Sequence, residues 1–125
     1  MPHLARLWLR AATVYFALAC LFGLIIGIAQ KFELATVHAH INLLGWVSMA
    51  LIGILHAVVP ALRTAKSDLS FWVYQLSFPA FMISMFGTLL HNPVAEIAIR
   101  ITATLMVVSV IWIAATVYRA VGKDA

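Results

Sequence analysis

The chain alternates between long apolar stretches and short polar or charged clusters. Its charged side chains leave four uncharged windows, at 11–29, 34–62, 69–95 and 101–118. A helix needs about 20 mostly apolar residues to cross a bilayer, so each window is long enough for one span and too short for two. Backbone groups in lipid must be paired within the segment, and the windows lack the alternating polarity of barrel strands. The pattern predicts an all-α membrane protein, a single domain over 1–125 with four transmembrane helices at about 8–29, 37–60, 70–91 and 95–118.

Composition excludes a soluble globular protein. Of the 125 residues, 65% are hydrophobic and only 10% are charged, whereas soluble domains are roughly half apolar and a quarter charged. The net charge of +4 does not indicate a nucleic-acid partner, because the basic residues are separated by apolar windows rather than gathered in a patch. The expected environment is therefore the lipid bilayer. The single cysteine, Cys20, is expected to be a small buried side chain.

The basic residues predict an orientation. In a chain with four spans, the N-terminal segment, the connection at 61–69 and the C-terminal segment lie on one side of the membrane. The basic residues of these segments are Arg6, Arg10, Arg63, Lys66, Arg119 and Lys123, whereas the opposite side has only Lys31 and Arg100. An excess of Lys and Arg marks the cytoplasmic side. Both termini are therefore expected in the cytoplasm, as in a multi-pass protein of a bacterial-type inner membrane.

Histidines are the ionisable residues that stand out in the apolar windows, where such groups are costly and usually functional. His38 and His40 begin the second span and His91 ends the third, so all three are expected at the outer boundary. There, His38 and His91 can meet across neighbouring antiparallel helices. His56 lies 18 residues after His38, about 27 Å further along a helix axis, and is expected near the inner boundary.

Helix geometry separates the two histidines at the start of the second span. Residues two apart point about 200° apart, so His38 and His40 cannot both face the bundle if the helix is regular there. The residues that share a face with His38 are Gly45, Met49 and His56. The stripe below His91 is made of Val73, Ser77, Ala80, Ser84 and Gly87. Such stripes of small residues indicate close helix packing, and they also leave room for a flat macrocycle.

Three interpretations of the histidines remain open. Two imidazoles at one depth, His38 and His91, form an axial-ligand pair for haem iron, with Gly45, Ser84 and Gly87 leaving room for the macrocycle. A copper or zinc site is the alternative, with His38, His40 and His91 as ligands if the second span begins irregularly. The ordinary interpretation is that a histidine forms a hydrogen bond to water or to a backbone carbonyl. It applies most readily to His40 and to His56, and of the four histidines His56 is the least obvious metal ligand.

The segment 36–46, Thr-Val-His-Ala-His-Ile-Asn-Leu-Leu-Gly-Trp, with its continuation to Pro60, resembles the second transmembrane helix of the haem–copper oxidase large subunit. The similarity is closest to nitric oxide reductases and C-type oxidases, with some likeness to NnrS-like proteins. Residues 71–75, Phe-Trp-Val-Tyr-Gln, resemble the start of the family's third helix. In that family a histidine opening the second helix ligates the low-spin haem b. The His-x-Asn match favours His40 for this role, whereas the Thr-x-His-Ala start and the spacing to Pro60 favour His38.

The resemblance implies a small integral membrane protein that binds haem b and serves electron transfer or the binding of a diatomic gas, NO or O2. The family's copper ligands, active-site haem ligand and second low-spin haem ligand lie on later helices that have no counterpart here, so a complete oxidase or reductase is not expected. His91 or a second copy of the chain would supply the missing axial ligand. The alternative is a cofactor-free accessory or assembly subunit, or a copper-handling one, of a respiratory complex. A homo-oligomer is expected because several Gly and Ala stripes need to be buried, and a respiratory electron-transfer partner is a further expectation.

Overall fold

Four long helices make up the computed structural model, which describes residues 1–123. They are α1 (His3–Ala29), α2 (Phe32–Val58), α3 (Ser67–Leu89) and α4 (Pro93–Lys123), with a short 3-10 turn at Pro60–Leu62. Each of the four is long and apolar enough to cross a membrane. The described residues contain no strand. The predicted all-helical chain with four membrane-length helices is therefore confirmed.

The helices extend beyond the predicted spans at their charged ends. α1 begins at His3 rather than near residue 8, and α4 continues to Lys123 rather than ending near 118. Charged residues limit the apolar part of a helix but do not interrupt its backbone, since long basic side chains can reach away from apolar surroundings. In contrast, α3 ends at Leu89, two residues before the predicted end of this span at residue 91.

α2 is not a regular α-helix along its whole length. The assignment of its faces from the sequence assumed a regular helix. α2 passes from an α-helical segment, Ala35–His40, through a π-helical segment, Ile41–Val47, to a second α-helical segment, Ser48–Val58. Side chains bind two carbonyls of the wide segment: Ser48 Oγ donates to Leu43 O at 2.6 Å, and Tyr74 Oη donates to Leu44 O at 2.7 Å. Such wide turns often lie close to functional sites.

Two glycines on α2, Gly45 and Gly53, lie in close contact with neighbouring helices. A methyl group in place of the Gly45 hydrogen would lie 3.0 Å from Tyr15 Cβ on α1 and 3.2 Å from Phe78 Cε1 on α3. At Gly53 the corresponding distance to Trp8 Cβ is 3.1 Å. The space beside Gly45, predicted as room for a cofactor, is thus filled by side chains of α1 and α3.

Trp8 is at the centre of the packing at one end of the bundle. Its side chain is fully buried, edge-on to Phe71 and Tyr74, with ring centroids 5.0 and 5.2 Å away. It also stacks on His56 at 6.4 Å. Cys20, expected to be buried, is exposed instead. Its face of α1 turns away from the other helices, so the prediction for this residue was wrong.

Both described chain ends lie at the same end of the bundle as the connection between α2 and α3. One cavity joins the N-terminal residues Pro2 and His3 to Arg63. A second cavity joins Lys66 to Lys123 of α4. The six basic residues that the sequence assigned to one side therefore share one end of the molecule.

Candidate functional site

His38 lies near the start of α2, with its ring half-buried against α1. A methyl group in place of the Gly23 hydrogen would lie 2.6 Å from His38 Cε1 and 3.2 Å from each ring nitrogen. Any residue larger than glycine at position 23 would therefore displace the imidazole. Gly23 is what allows the His38 ring to lie directly on α1.

Asn42, one turn after His38, determines the hydrogen bonding of the imidazole. Asn42 Nδ2 donates to the His38 carbonyl oxygen at 3.3 Å and lies 3.2 Å from His38 Nε2. Because an amide nitrogen donates and does not accept, this arrangement makes Nε2 the acceptor and puts the proton of the neutral ring on Nδ1. His38 Nδ1 is buried and has no hydrogen-bond partner among residues 1–123.

Among the histidines of the described residues, only His38 has a buried ring nitrogen without a partner; Trp8 Nε1 and Ser109 Oγ are the other buried polar atoms of this kind. An unsatisfied buried polar group costs about 1–3 kcal/mol, and most such groups in native proteins are paired with protein, water or an ion. The other ring nitrogen of His38 has only the long 3.2 Å contact with Asn42. The imidazole is therefore held by packing on Gly23 more than by hydrogen bonds, and the lone pair on Nε2, which accepts only this long bond, is open to a stronger partner.

His40 faces a different neighbour and is already bonded. Its Nδ1 lies 2.8 Å from the carbonyl oxygen of Thr36, one turn earlier in α2. Its ring is perpendicular to that of Phe81 on α3, with centroids 5.7 Å apart. His38, packed on α1, and His40, packed on α3, thus point to different helices, but both rings are half-buried in the bundle, whereas their two-residue spacing predicted that only one of them would face it.

His91 is exposed on the turn that follows α3. Its φ angle is 60°, in the left-handed region that residues with side chains seldom adopt. His91 N donates to Thr88 O at 2.9 Å, and Asn92 N donates to Gly87 O at 3.0 Å. These two bonds form a Schellman motif, which pairs the last carbonyls of a helix. His91 therefore ends the helix, and the described structure shows no bond between its ring and His38.

Two other residues predicted to border a cofactor, Ser84 and Gly87, are engaged within the protein. Ser84 is buried, and its Oγ donates to Ala80 O at 2.8 Å. A methyl group in place of the Gly87 hydrogen would lie 2.6 Å from Ala95 Cβ on α4. The small side of α3 at Gly87 therefore accommodates the fourth helix, which is the packing role that such stripes ordinarily have.

His56 is buried at the opposite end of α2 from His38 and makes its own contacts. Its Nδ1 lies 2.9 Å from Ile52 O, and Arg63 Nε donates to the His56 carbonyl oxygen at 3.1 Å. The separation of His56 from the other histidines agrees with the axial distance expected from sequence. Within residues 1–123, no group of three or more His, Cys, Asp or Glu side chains is placed to hold a metal ion.

Sequence reasoning did not select Gly23 or Asn42, the two residues that define the surroundings of His38. The spacing of four residues between His38 and Asn42 places them on one helical face, so this contact was accessible from sequence. The contact with Gly23 was not, because it depends on how α1 and α2 are aligned. The functional inference rests on these residues, since comparison with protein-family models, curated proteins and solved structures finds no match to the chain.

Proposed function

We propose that this protein is a small multi-pass protein of a bacterial-type inner membrane that binds haem b through His38 and binds a diatomic gas, such as NO or O2, at the iron. The observation that carries the proposal is the half-buried and weakly bonded His38 ring, whose Nε2 lone pair accepts only a 3.2 Å bond from Asn42 and whose Nδ1 has no partner in the described structure. Haem b held by a single histidine would supply an iron able to bind a diatomic ligand, and the surrounding residues would determine the chemistry of that ligand.

The donor set fits this group at one axial position. A neutral imidazole is the usual protein ligand of haem b iron, and His38 presents one whose nitrogens are weakly satisfied. His40 and His56 each have a ring nitrogen bonded to a carbonyl of their own helix. Of these three imidazoles, His38 is the one not bonded to a backbone carbonyl, and a single ligand favours gas binding over the electron transfer expected from a pair of histidine ligands.

The protein's own residues have separate roles in this proposal. His38 holds the iron, Gly23 gives the imidazole its place on α1, and Asn42 keeps the ring oriented when no metal is bound. We place the end of the bundle that carries the six basic residues in the cytoplasm. His38 then lies near the outer face, where the family resemblance also puts the histidine that opens this helix.

An absorption spectrum of the detergent-purified protein tests the function directly. We expect protein from haem-replete cells to show a Soret band and the pyridine haemochrome of haem b. Adding carbon monoxide to the reduced protein is expected to shift the Soret band, because an open iron position binds the gas without displacing a histidine. Colourless protein after haem supplementation would refute haem binding. A haem spectrum that carbon monoxide does not change would instead indicate two axial ligands and an electron-transfer role.

The variant His91→Gly separates the ligand role of His91 from its role at the end of α3. Glycine adopts the left-handed conformation without the strain of about 1–2 kcal/mol that other residues incur. If His91 only ends the helix, we expect the variant to gain about 1 kcal/mol of stability and to keep the wild-type spectrum. Thermal unfolding in detergent and the Soret absorbance measure the two effects. Loss of the band with intact helices would identify His91 as an axial ligand.

A cofactor-free accessory or assembly subunit of a respiratory complex is the second candidate. The observation that favours it is that Ala95 fills the space at Gly87, while His40 and His56 are bonded to their own helix. These residues then serve packing alone. Colourless protein that co-purifies stoichiometrically with a respiratory subunit is the result expected for this function. Native mass spectrometry of the same sample measures self-association, which the sequence predicts.

A further inference from the structure

A basic pocket opens at the end of the bundle where α4 passes the connection between α2 and α3. Its volume is about 450 Å³. The polar and aromatic residues that line it are Thr64, Lys66, Trp112, Thr116, Arg119 and Lys123. This pocket lies at the opposite end of the molecule from His38 and plays no part in the proposed haem site.

The charged side chains that line the pocket are all positive. Lys66, Arg119 and Lys123 contribute three cations, and no Asp or Glu of the described chain is among the lining residues. The nearby acidic residue Asp68 lines a separate cavity together with Arg63. Three cations around one concave surface attract an anion, and low-dielectric walls strengthen that attraction.

Along the helix axis, the α4 side of the pocket changes from apolar at Trp112 to basic at Arg119 and Lys123. Trp112, Thr116, Arg119 and Lys123 are spaced by four, three and four residues, so they share one face. Lys123 lies eleven residues after Trp112, which is about 16 Å along the helix axis. Tryptophan is enriched where the hydrocarbon of a membrane meets its headgroups. The face therefore matches an amphiphile with its anionic group at the basic end and its chains beside the indole.

We propose that this pocket binds the phosphodiester headgroup of an anionic phospholipid. Arg119 Nε donates to Ala115 O at 3.3 Å, so the two terminal nitrogens of its guanidinium can face the phosphate, and guanidinium groups bind phosphate oxygens in pairs. Lys66 approaches from the opposite wall, and Trp112 packs beside the acyl chains. Basic pockets between membrane helices on the cytoplasmic side are suited to such headgroups.

Native mass spectrometry and lipid titration of the purified full chain test this site. Lys66→Gln with Arg119→Gln removes two cations of the pocket, and both residues are exposed, so the fold is expected to persist. Lys123 is left unchanged because Asp124 follows it and lies outside the described residues. The matched control is Arg6→Gln with Arg10→Gln, which removes two exposed cations from the same end without touching the pocket.

Phosphatidylglycerol, phosphatidylcholine and inorganic phosphate are titrated separately into each protein. We expect one phosphatidylglycerol to bind the wild type in preference to phosphatidylcholine, and the pocket variant to bind it about thirtyfold more weakly. The control variant is expected to lose much less affinity. Equal losses in both variants would show diffuse charge attraction and overturn the proposal. It would also be overturned if inorganic phosphate bound as tightly as the lipid, or if the lipids were not distinguished. Unchanged circular dichroism and haem absorbance in the pocket variant separate this result from misfolding and from the haem proposal.

Discussion

We expect the variant His38→Ala to purify without a Soret band, whereas His40→Ala retains it. The difference follows from the surroundings of the two rings, which lie only two residues apart. His38 rests on Gly23 with a buried nitrogen that has no described partner, while His40 is bonded to Thr36 O and packed on Phe81. If His38 is the ligand of the proposed haem b, its loss removes the bond that would hold the group. Haem content per chain and the reduced-minus-oxidised spectrum measure the result.

Chemical rescue shows whether the lost group is the imidazole itself. Free imidazole added to His38→Ala is expected to restore the Soret band, since the cavity left by the side chain admits a molecule of the same shape. The variant should unfold no more easily than the haem-free wild type, because alanine removes an unsatisfied buried nitrogen that costs about 1–3 kcal/mol. Retention of haem in His38→Ala together with its loss in His40→Ala would assign the ligand role to His40.

Gly87→Leu is expected to destabilise the protein by about 3 kcal/mol, the upper part of the range for overpacked interiors. The first carbon of the new side chain would lie 2.6 Å from Ala95 Cβ, which cannot rotate away because it is attached directly to the α4 backbone. Relief of the contact therefore requires α3 and α4 to separate at this end. Thermal unfolding in a mild detergent, followed by circular dichroism, measures the loss.

Gly27→Leu is the matched control for this substitution. Gly27 occupies the last turn of α1 as Gly87 occupies the last turn of α3, but no described atom of another helix lies within 4 Å of a Cβ at position 27. Replacing glycine in a helix gains about 0.5–1 kcal/mol, so this variant is expected to be as stable as the wild type or slightly more so. Equal destabilisation by both variants would contradict close packing of α3 on α4 at Gly87.

Much of the fold could be predicted because it depends on composition along the chain. The uncharged windows located all four helices, and their error lies at the ends, as with His3 and Lys123. A helix end is set by local backbone hydrogen bonds, such as those around His91, rather than by the limit of apolar character. The π-helical segment at Ile41–Val47 could not be read from its apolar residues, because its carbonyls are bound partly by Tyr74 from another helix.

The candidate site was predictable only in part. Helical periodicity separated His38 from His40, and axial distance separated His56 from both. The predicted role of Ser84 and Gly87 as room for a cofactor depended on what lies opposite them. The structure places Ala95 against Gly87, so a small residue there is used for helix contact. Whether small residues leave a cavity or allow close helix packing depends on both of the helices that meet there.

The sequence alone determined that this chain has four helices long and apolar enough to cross a membrane, with most basic residues at one end and with His38 and His56 far apart along the second helix. These properties follow from the order of apolar and charged residues along the chain. The apolar stretches indicate which segments form membrane-length helices, and the helical repeat gives the separation of residues along each helix. The tertiary structure decided which histidine is left unsatisfied, because that depends on Gly23 of α1 meeting His38 of α2. It likewise brought Lys66 to Arg119 and Lys123 across the basic pocket, since contacts between residues far apart in the chain are set by how the helices pack.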